Sequence, residues 1–191
     1  MRALVTGAGS GIGAWAARRL ADDGFDITVA DLDPSSIADE LGAAAIRLDV
    51  REETQVASVV ERVDLLVNAA SIVSDSWSES LDVNARGAFL CCKHAIPAMA
   101  SRGGGAIVNV LALPQRGRIA HAASQGALAA MTRALAIDHG PDNVRINAVC
   151  AGDAPDEDVA DAIVYLATAE FVTGTILTVD GGRNAAAFPS L

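Results

Sequence analysis

Short runs of β-forming apolar residues alternate with helical segments from one end of this chain to the other, and that alternation restricts the fold more than any other feature. Strands are expected at 2–6, 26–30, 44–48, 63–68, 106–111, 144–149 and 175–179. Each is mostly Val, Ile, Leu or Ala without strict polar alternation, as suits strands covered on both faces. Helices are expected at 12–22, 36–41, 52–62, 80–101, 120–139 and 156–167. Pro34 and Pro155 stand near two helix starts, and Asp156 to Asp158 put negative charge in a first turn, where the helix dipole favours it. Right-handed crossovers then give an α/β fold, a doubly wound parallel sheet of about seven strands with helices on both faces. With no repeat, low-complexity tract or linker in view, the 191 residues are expected to form one domain.

Charge narrows the function. There are 24 acidic residues against 14 basic ones, a formal net charge of −10, and the basic residues never cluster. Such a surface repels phosphate backbones and anionic lipid, so neither nucleic acid nor a membrane surface is an expected partner. The opening Met1-Arg2-Ala3-Leu4-Val5-Thr6-Gly7 reaches glycine too soon for a signal peptide, and no uncharged apolar run is long enough to span a bilayer. Cys91, Cys92 and Cys150 form neither a CxxC pair nor a Cys/His cluster, so no metal site is expected and the thiols are read as reduced and packed. A cytoplasmic location follows from these readings.

The first strand runs into Thr6-Gly7-Ala8-Gly9-Ser10-Gly11-Ile12-Gly13, with a helix directly after it. Glycines let the backbone turn sharply and approach a pyrophosphate, whose charge meets the helix N-terminus. Asp31 ends the second strand, where a carboxylate accepts hydrogen bonds from both ribose hydroxyls of NAD and repels the 2′-phosphate of NADP. NAD is the expected cofactor.

The spacing Gly7-xxx-Gly11-x-Gly13 resembles the TGxxxGxG signature of the short-chain dehydrogenase/reductase family more than the GxGxxG of other Rossmann enzymes. Further segments agree in order. Leu48-Asp49-Val50 looks like the family's adenine-holding stretch, and Val67-Asn68-Ala69-Ala70-Ser71 resembles its NNAG motif. Asp82-Val83-Asn84 matches the helix that carries its structural and catalytic asparagine. Ala106-Ile107-Val108-Asn109, Arg145-Ile146-Asn147-Ala148-Val149 and Thr178-Val179-Asp180-Gly181-Gly182 resemble its last three strands. The resemblance implies an NAD-dependent oxidoreductase of a small carbonyl or alcohol substrate. It also implies a Rossmann sheet and cofactor contacts from Gly7, Ser10, Gly11, Ile12, Gly13, Asp31, Leu32, Asp49, Val50, Asn68, Ala69 and Ala70.

The same resemblance fails where the family's chemistry sits. Its members use a serine, a tyrosine and a lysine four residues after the tyrosine, together with the asparagine. Here the serine position falls on Ala112, and His121-Ala122-Ala123-Ser124-Gln125 stands where YxxSK is expected. His121 thus replaces the tyrosine and Gln125 the lysine, and the only tyrosine and lysine, Tyr165 and Lys93, lie on other helices. The Pro-Gly after the sixth strand is Ala151-Gly152, and the long substrate-covering segment shrinks to Asp153-Ala154 before Pro155. The segments 71–80 and 112–121 are shortened too, so the chain reads as a truncated member with a degenerate active site.

His121, Gln125 and Asn84 are therefore the candidate catalytic residues, each with a structural alternative. An imidazole pKa of about 6.5 suits proton transfer, yet His121 equally fills the space left by tyrosine. Gln125 shares a helix face with it and can reach a ribose hydroxyl, while Asn84 serves either its helix or the chemistry. Two functions stay open: a divergent NAD-dependent oxidoreductase, or a non-catalytic NAD-binding sensor or subunit of a family oligomer. The uniformly apolar segments 80–101 and 120–139 are the family's pairing helices, which implies a homodimer or homotetramer.

Overall fold

The computed structural model of the chain describes residues 1–185. Seven parallel strands form one sheet in the order β3-β2-β1-β4-β5-β6-β7. They are β1 (Arg2–Thr6), β2 (Asp26–Asp31), β3 (Ala44–Arg47), β4 (Leu65–Asn68), β5 (Gly105–Ala112), β6 (Val144–Ala151) and β7 (Ile176–Val179). Helices α1 (Gly11–Asp22), α2 (Ser35–Leu41), α3 (Glu53–Val60), α4 (Trp77–Ser80), α5 (Ala88–Ser101), α6 (Ile119–His139) and α7 (Asp156–Thr168) fill the crossovers. The chain turns back at β1, since β2 and β3 stack on one side of it and β4 onward on the other.

Side-chain alternation along each strand divides the core into two layers. Val5, Val67 and Val108 pack with Ala17 and Leu20 of α1 and Ile163 and Leu166 of α7. Their strand neighbours Leu4, Leu66 and Ile107 face the opposite way, onto Val56 of α3 and Leu90, Ile96 and Met99 of α5. Because both faces are covered, the strands read as continuous apolar runs. Burying a side chain such as Leu20 or Leu66 contributes about 1.5–3 kcal/mol.

The helix expected over 80–101 is divided. After α4, residues Leu81–Gly87 form a wider π-helical turn, and regular helix resumes in α5. At the end of that turn Gly87 presses on the β3–α3 connection, where an added Cβ would meet Val50 Cγ2 at 2.6 Å. The π turn also holds Asn84, whose partners lie in a neighbouring loop and in α6. Such single-turn widenings recur at functional sites. The helix expected over 52–62 is shorter at both ends, because residue 61 already leaves the ladder.

One polar seam crosses the layer between the sheet and the α5–α6 pair. Asn68 of β4 and Asn109 of β5 are register partners, and Asn68 Nδ2 donates to Asn109 Oδ1 at 2.9 Å. Asn109 Nδ2 donates to Thr132 Oγ1 at 2.9 Å, and that hydroxyl donates to the Leu128 carbonyl. Asn68 Nδ2 also approaches Cys92 Sγ at 3.6 Å. Burial pushes both adjacent thiols of α5 up, Cys92 to about 12, so they remain protonated packing groups. The fully buried Asn109 links its two neighbours, accepting from Asn68 and donating to Thr132. Asn109→Ala is expected to lower the unfolding free energy by about 2–4 kcal/mol, through a cavity and two lost buried hydrogen bonds. Urea titration checks this, and an unchanged midpoint would contradict the role given to the seam.

Candidate functional site

A cleft of about 590 Å³ runs along the carboxyl ends of the strands, over the point where the strand order reverses. That is where open parallel sheets bind ligands. Its floor is the β1–α1 loop. Gly7 has φ +68°, and a Cβ there would stand 2.5 Å from Ala70 Cα, so the loop and the end of β4 meet backbone to backbone. A Cβ on Gly13 would stand 2.1 Å from the Gly7 carbonyl oxygen, which only glycine at the helix start permits. Ser10, Gly11, Ile12 and Gly13 all line the cleft. The helix ladder of α1 opens with Ala14 N–H donating to the Ser10 carbonyl, so the preceding N–H groups are the orphan donors of the helix start. Orphan donors at a helix N-terminus are groups that an anion can occupy.

One end of the cleft lies at β2 and β3. Asp31 is fixed there by two backbone donors, Gly9 N–H to Oδ2 at 2.9 Å and Asp33 N–H to Oδ1 at 3.2 Å. Leu32, Asp49 and Val50 also line this end, as does Arg51. Arg51 grips the Asp49 carboxylate, Nε to Oδ1 at 2.9 Å and Nη2 to Oδ2 at 2.6 Å, and this hydrogen-bonded pairing lowers the Asp49 pKa. Ala69 and Ala70 line the middle of the cleft. Asn68 does not; it is buried in the polar seam, and its Oδ1 takes no hydrogen bond among the described residues.

The other end lies at β5 and α6. Val110, Leu111, Ala112 and Gln125 border it together with Ser71, Ile72, Glu79 and Val83. Gln125 folds back onto the strand end, its Oε1 accepting the Ala112 N–H at 3.0 Å. Its Nε2 lies 3.5 Å from His121 Nε2. His121 itself is 4% exposed and does not line the cleft. Burial, and then the charge of Arg118, lowers its pKa, so the ring is neutral at neutral pH. Asn84 is closed off as well. Its Oδ1 accepts the Ile72 N–H at 2.8 Å, and its Nδ2 donates to the Ile72 carbonyl and to Ser124 Oγ, each at 2.9 Å. Ser124 Oγ in turn donates to the His121 carbonyl. The three candidate catalytic residues are thus neighbours, yet only Gln125 borders the open space.

Glu79 was not anticipated from the sequence. It borders the cleft because the loop 71–76 is short, and Ser74 Oγ donates to its Oε2 at 2.8 Å. Short spacing between Ser71 and α4 was the available signal. At the opposite wall, four residues separate β6 from α7. This brings the first turn of α7 against the phosphate loop, with Asp156 Oδ2 3.9 Å from a Cβ position on Gly11. Among the described residues no group of three or more His, Cys, Asp or Glu could hold a metal ion, and no helix is long and apolar enough to cross a membrane.

Comparison with known proteins agrees with this geometry. A solved short-chain dehydrogenase/reductase family protein superimposes with a TM-score of 0.91 at 32% identity, over 97% of each chain. The chain is 33% identical to cis-4-hydroxycyclohexanecarboxylate dehydrogenase of Sinomonas cyclohexanicum, over 96% of each protein. It is 30% identical to meso-2,3-butanediol dehydrogenase of Serratia marcescens, over 95% of this chain and 94% of that one. The first of these two alignments runs over 241 positions against a chain of 191 residues, so at least 50 positions stand opposite internal gaps here. The family model for short chain dehydrogenases matches residues 1–158. The chain belongs to the short-chain dehydrogenase family of nicotinamide-dinucleotide-dependent oxidoreductases.

Proposed function

We propose that this chain binds NAD in the cleft and has lost hydride transfer, so that it acts as a cofactor-binding sensor or as a subunit of a family oligomer. The observation that carries the reading is the closure of Gln125 onto Ala112 with His121 buried behind it. The residues present fit the dinucleotide at one end. The N-terminus of α1 offers backbone donors to a pyrophosphate, and Asp31, already oriented by Gly9, offers acceptors to ribose hydroxyls. When bound, the nicotinamide ring supplies a hydride donor or acceptor. Carbonyl reduction also needs a proton delivered and a polarised oxygen. Ala112 offers neither, Gln125 has no charge, and the neutral His121 lacks access. In this reading Asn84, with its amide hydrogens committed to Ile72 and Ser124, holds the π turn and the loop before it.

Asp31 makes NAD the preferred cofactor over NADP. A dianionic 2′-phosphate facing that carboxylate costs about 1–3 kcal/mol even with solvent screening. Calorimetric titration is expected to give tighter binding of NAD, with Asp31→Asn narrowing the gap. Equal or stronger binding of NADP by the wild type would remove Asp31 from this role.

Turnover is expected at or near background. A general acid is worth about 10²–10⁴ in rate, and displaced geometry costs about another 10². An NADH-oxidation assay over a broad panel of ketones and aldehydes tests it, with His121→Ala alongside. The alternative, favoured by the dehydrogenases among the relatives, is an active enzyme with His121 as its acid/base. Robust wild-type activity that His121→Ala abolishes would establish that alternative.

Exposed apolar side chains on the outer pair of helices support self-association. Phe89 of α5 and Ile119 and Ile137 of α6 are open to solvent, Ile137 at 77%. Light scattering is expected to give two or four times the 19.5 kDa chain mass, and a clean monomer at micromolar concentration would count against a homodimer or homotetramer.

A further inference from the structure

We propose that the β5 end of the cleft distinguishes the redox state of the dinucleotide, holding the oxidised, cationic nicotinamide in preference to the neutral reduced ring, and that Glu79 sets this preference. The proposal rests on the reading that the cleft binds the dinucleotide. Direction follows from the sheet. Asp31 and Asp49 stand at the β2–β3 end and the start of α1 lies between the ends. A dinucleotide with its adenosine at Asp31 and its pyrophosphate on α1 must extend its other half over β4 toward Ala112 and Gln125.

Both ends carry negative charge. At the adenosine end Arg51 and Asp49 neutralise each other and the Asp31 carboxylate remains, held by backbone donors alone. Among the described residues that line the β5 end, Glu79 is the charged one. Ser74 Oγ holds its Oε2, while Oε1 takes no hydrogen bond among the described residues. Arg118, whose charge reaches His121, pairs with Asp75. His121 is neutral and Gln125 is an amide. The far end therefore carries a negative charge with no cation along its lining.

NAD⁺ and NADH share the adenosine, both riboses and the pyrophosphate, and they differ at the ring, which bears a formal positive charge only when oxidised. The change in their affinity ratio on Glu79→Gln, which alters the charge and keeps the ring pair the same, thus reports the field at this end. A unit charge about 6–8 Å from a carboxylate, at an effective dielectric between about 20 and 80, predicts a preference of about two- to hundredfold for NAD⁺. Glu79 is exposed, so the preference should shrink as salt is raised. A cleft with this bias responds to the oxidised pool, which suits a sensor better than an enzyme that must hold both forms.

Calorimetric or fluorescence titration with NAD⁺, NADH and ADP-ribose, on the wild type and Glu79→Gln, decides the matter. The expected result is tighter binding of NAD⁺ than NADH by the wild type, near-equal binding by the variant, and unchanged binding of ADP-ribose, which lacks the ring. Equal affinities in the wild type, tighter NADH, or a ratio that survives Glu79→Gln would overturn the inference while leaving the cofactor reading intact. Failure of the wild type to bind ADP-ribose would overturn the cofactor reading, and this inference with it. Circular dichroism of the variant distinguishes a lost preference from a lost fold.

Discussion

The backbone contact among Gly7, Gly13 and Ala70 is the constraint on which the rest of this structure turns. Without side chains at residues 7 and 13, the β1–α1 loop lies flat on the end of β4, and α1 starts at the place where the strand order reverses. Three things follow from that one approach. The helix start and its unpaired donors point along the strand ends, Gly9 comes within hydrogen-bonding reach of Asp31, and α1 is angled to pack on α7. A side chain at either glycine would separate the loop from the sheet, and the anion site would lose its floor.

The short β6–α7 connection acts on the other half of the cleft. This chain crosses from Ala151 to Asp156 in four residues. The first turn of α7, with its acidic residues, therefore reaches the phosphate loop, and Asp156 stands close to Gly11. At the β5 end, small residues and short loops let side chains collapse inward. Gln125 reaches Ala112, His121 sinks beneath it, and Asn84 and Ser124 tie the π turn to α6. The same shortening brings Glu79 to the rim.

Much of this was legible before any coordinates, for identifiable reasons. Strand and helix positions follow from periodicity, and the glycine loop and Asp31 follow from a spacing tied to backbone geometry. What escaped depends on contacts between distant segments. Asn68 sits in a motif expected to hold cofactor, but its side chain faces α5 and α6 because β4 places it on the same side as Leu66. The π turn escapes a 3.6-residue pattern because the apolar residues are too evenly spread along 80–101 for a change of phase at Leu81–Gly87 to stand out. His121 shares a face with Gln125 as expected, but no spacing rule tells which of the two closes over the other.

This difference in legibility has a counterpart in how the two halves of the site are built. At the β2–β3 end the cleft is lined mostly by backbone and small residues: the start of α1, Ala69, Ala70 and one carboxylate held by main-chain donors. Substituting side chains there leaves most of the donors in place, because they belong to the fold itself. At the β5 end the resemblance expects a serine, a tyrosine and a lysine, and Ala112, His121 and Gln125 stand there with the β5–β6 pairing intact. A polar side chain at such a position also tends to find new partners once its neighbours change, as Gln125 does with Ala112 N–H. Binding can therefore outlast catalysis on this scaffold: anion recognition is written into a helix terminus that folding requires, whereas proton delivery is written into groups that folding can spare.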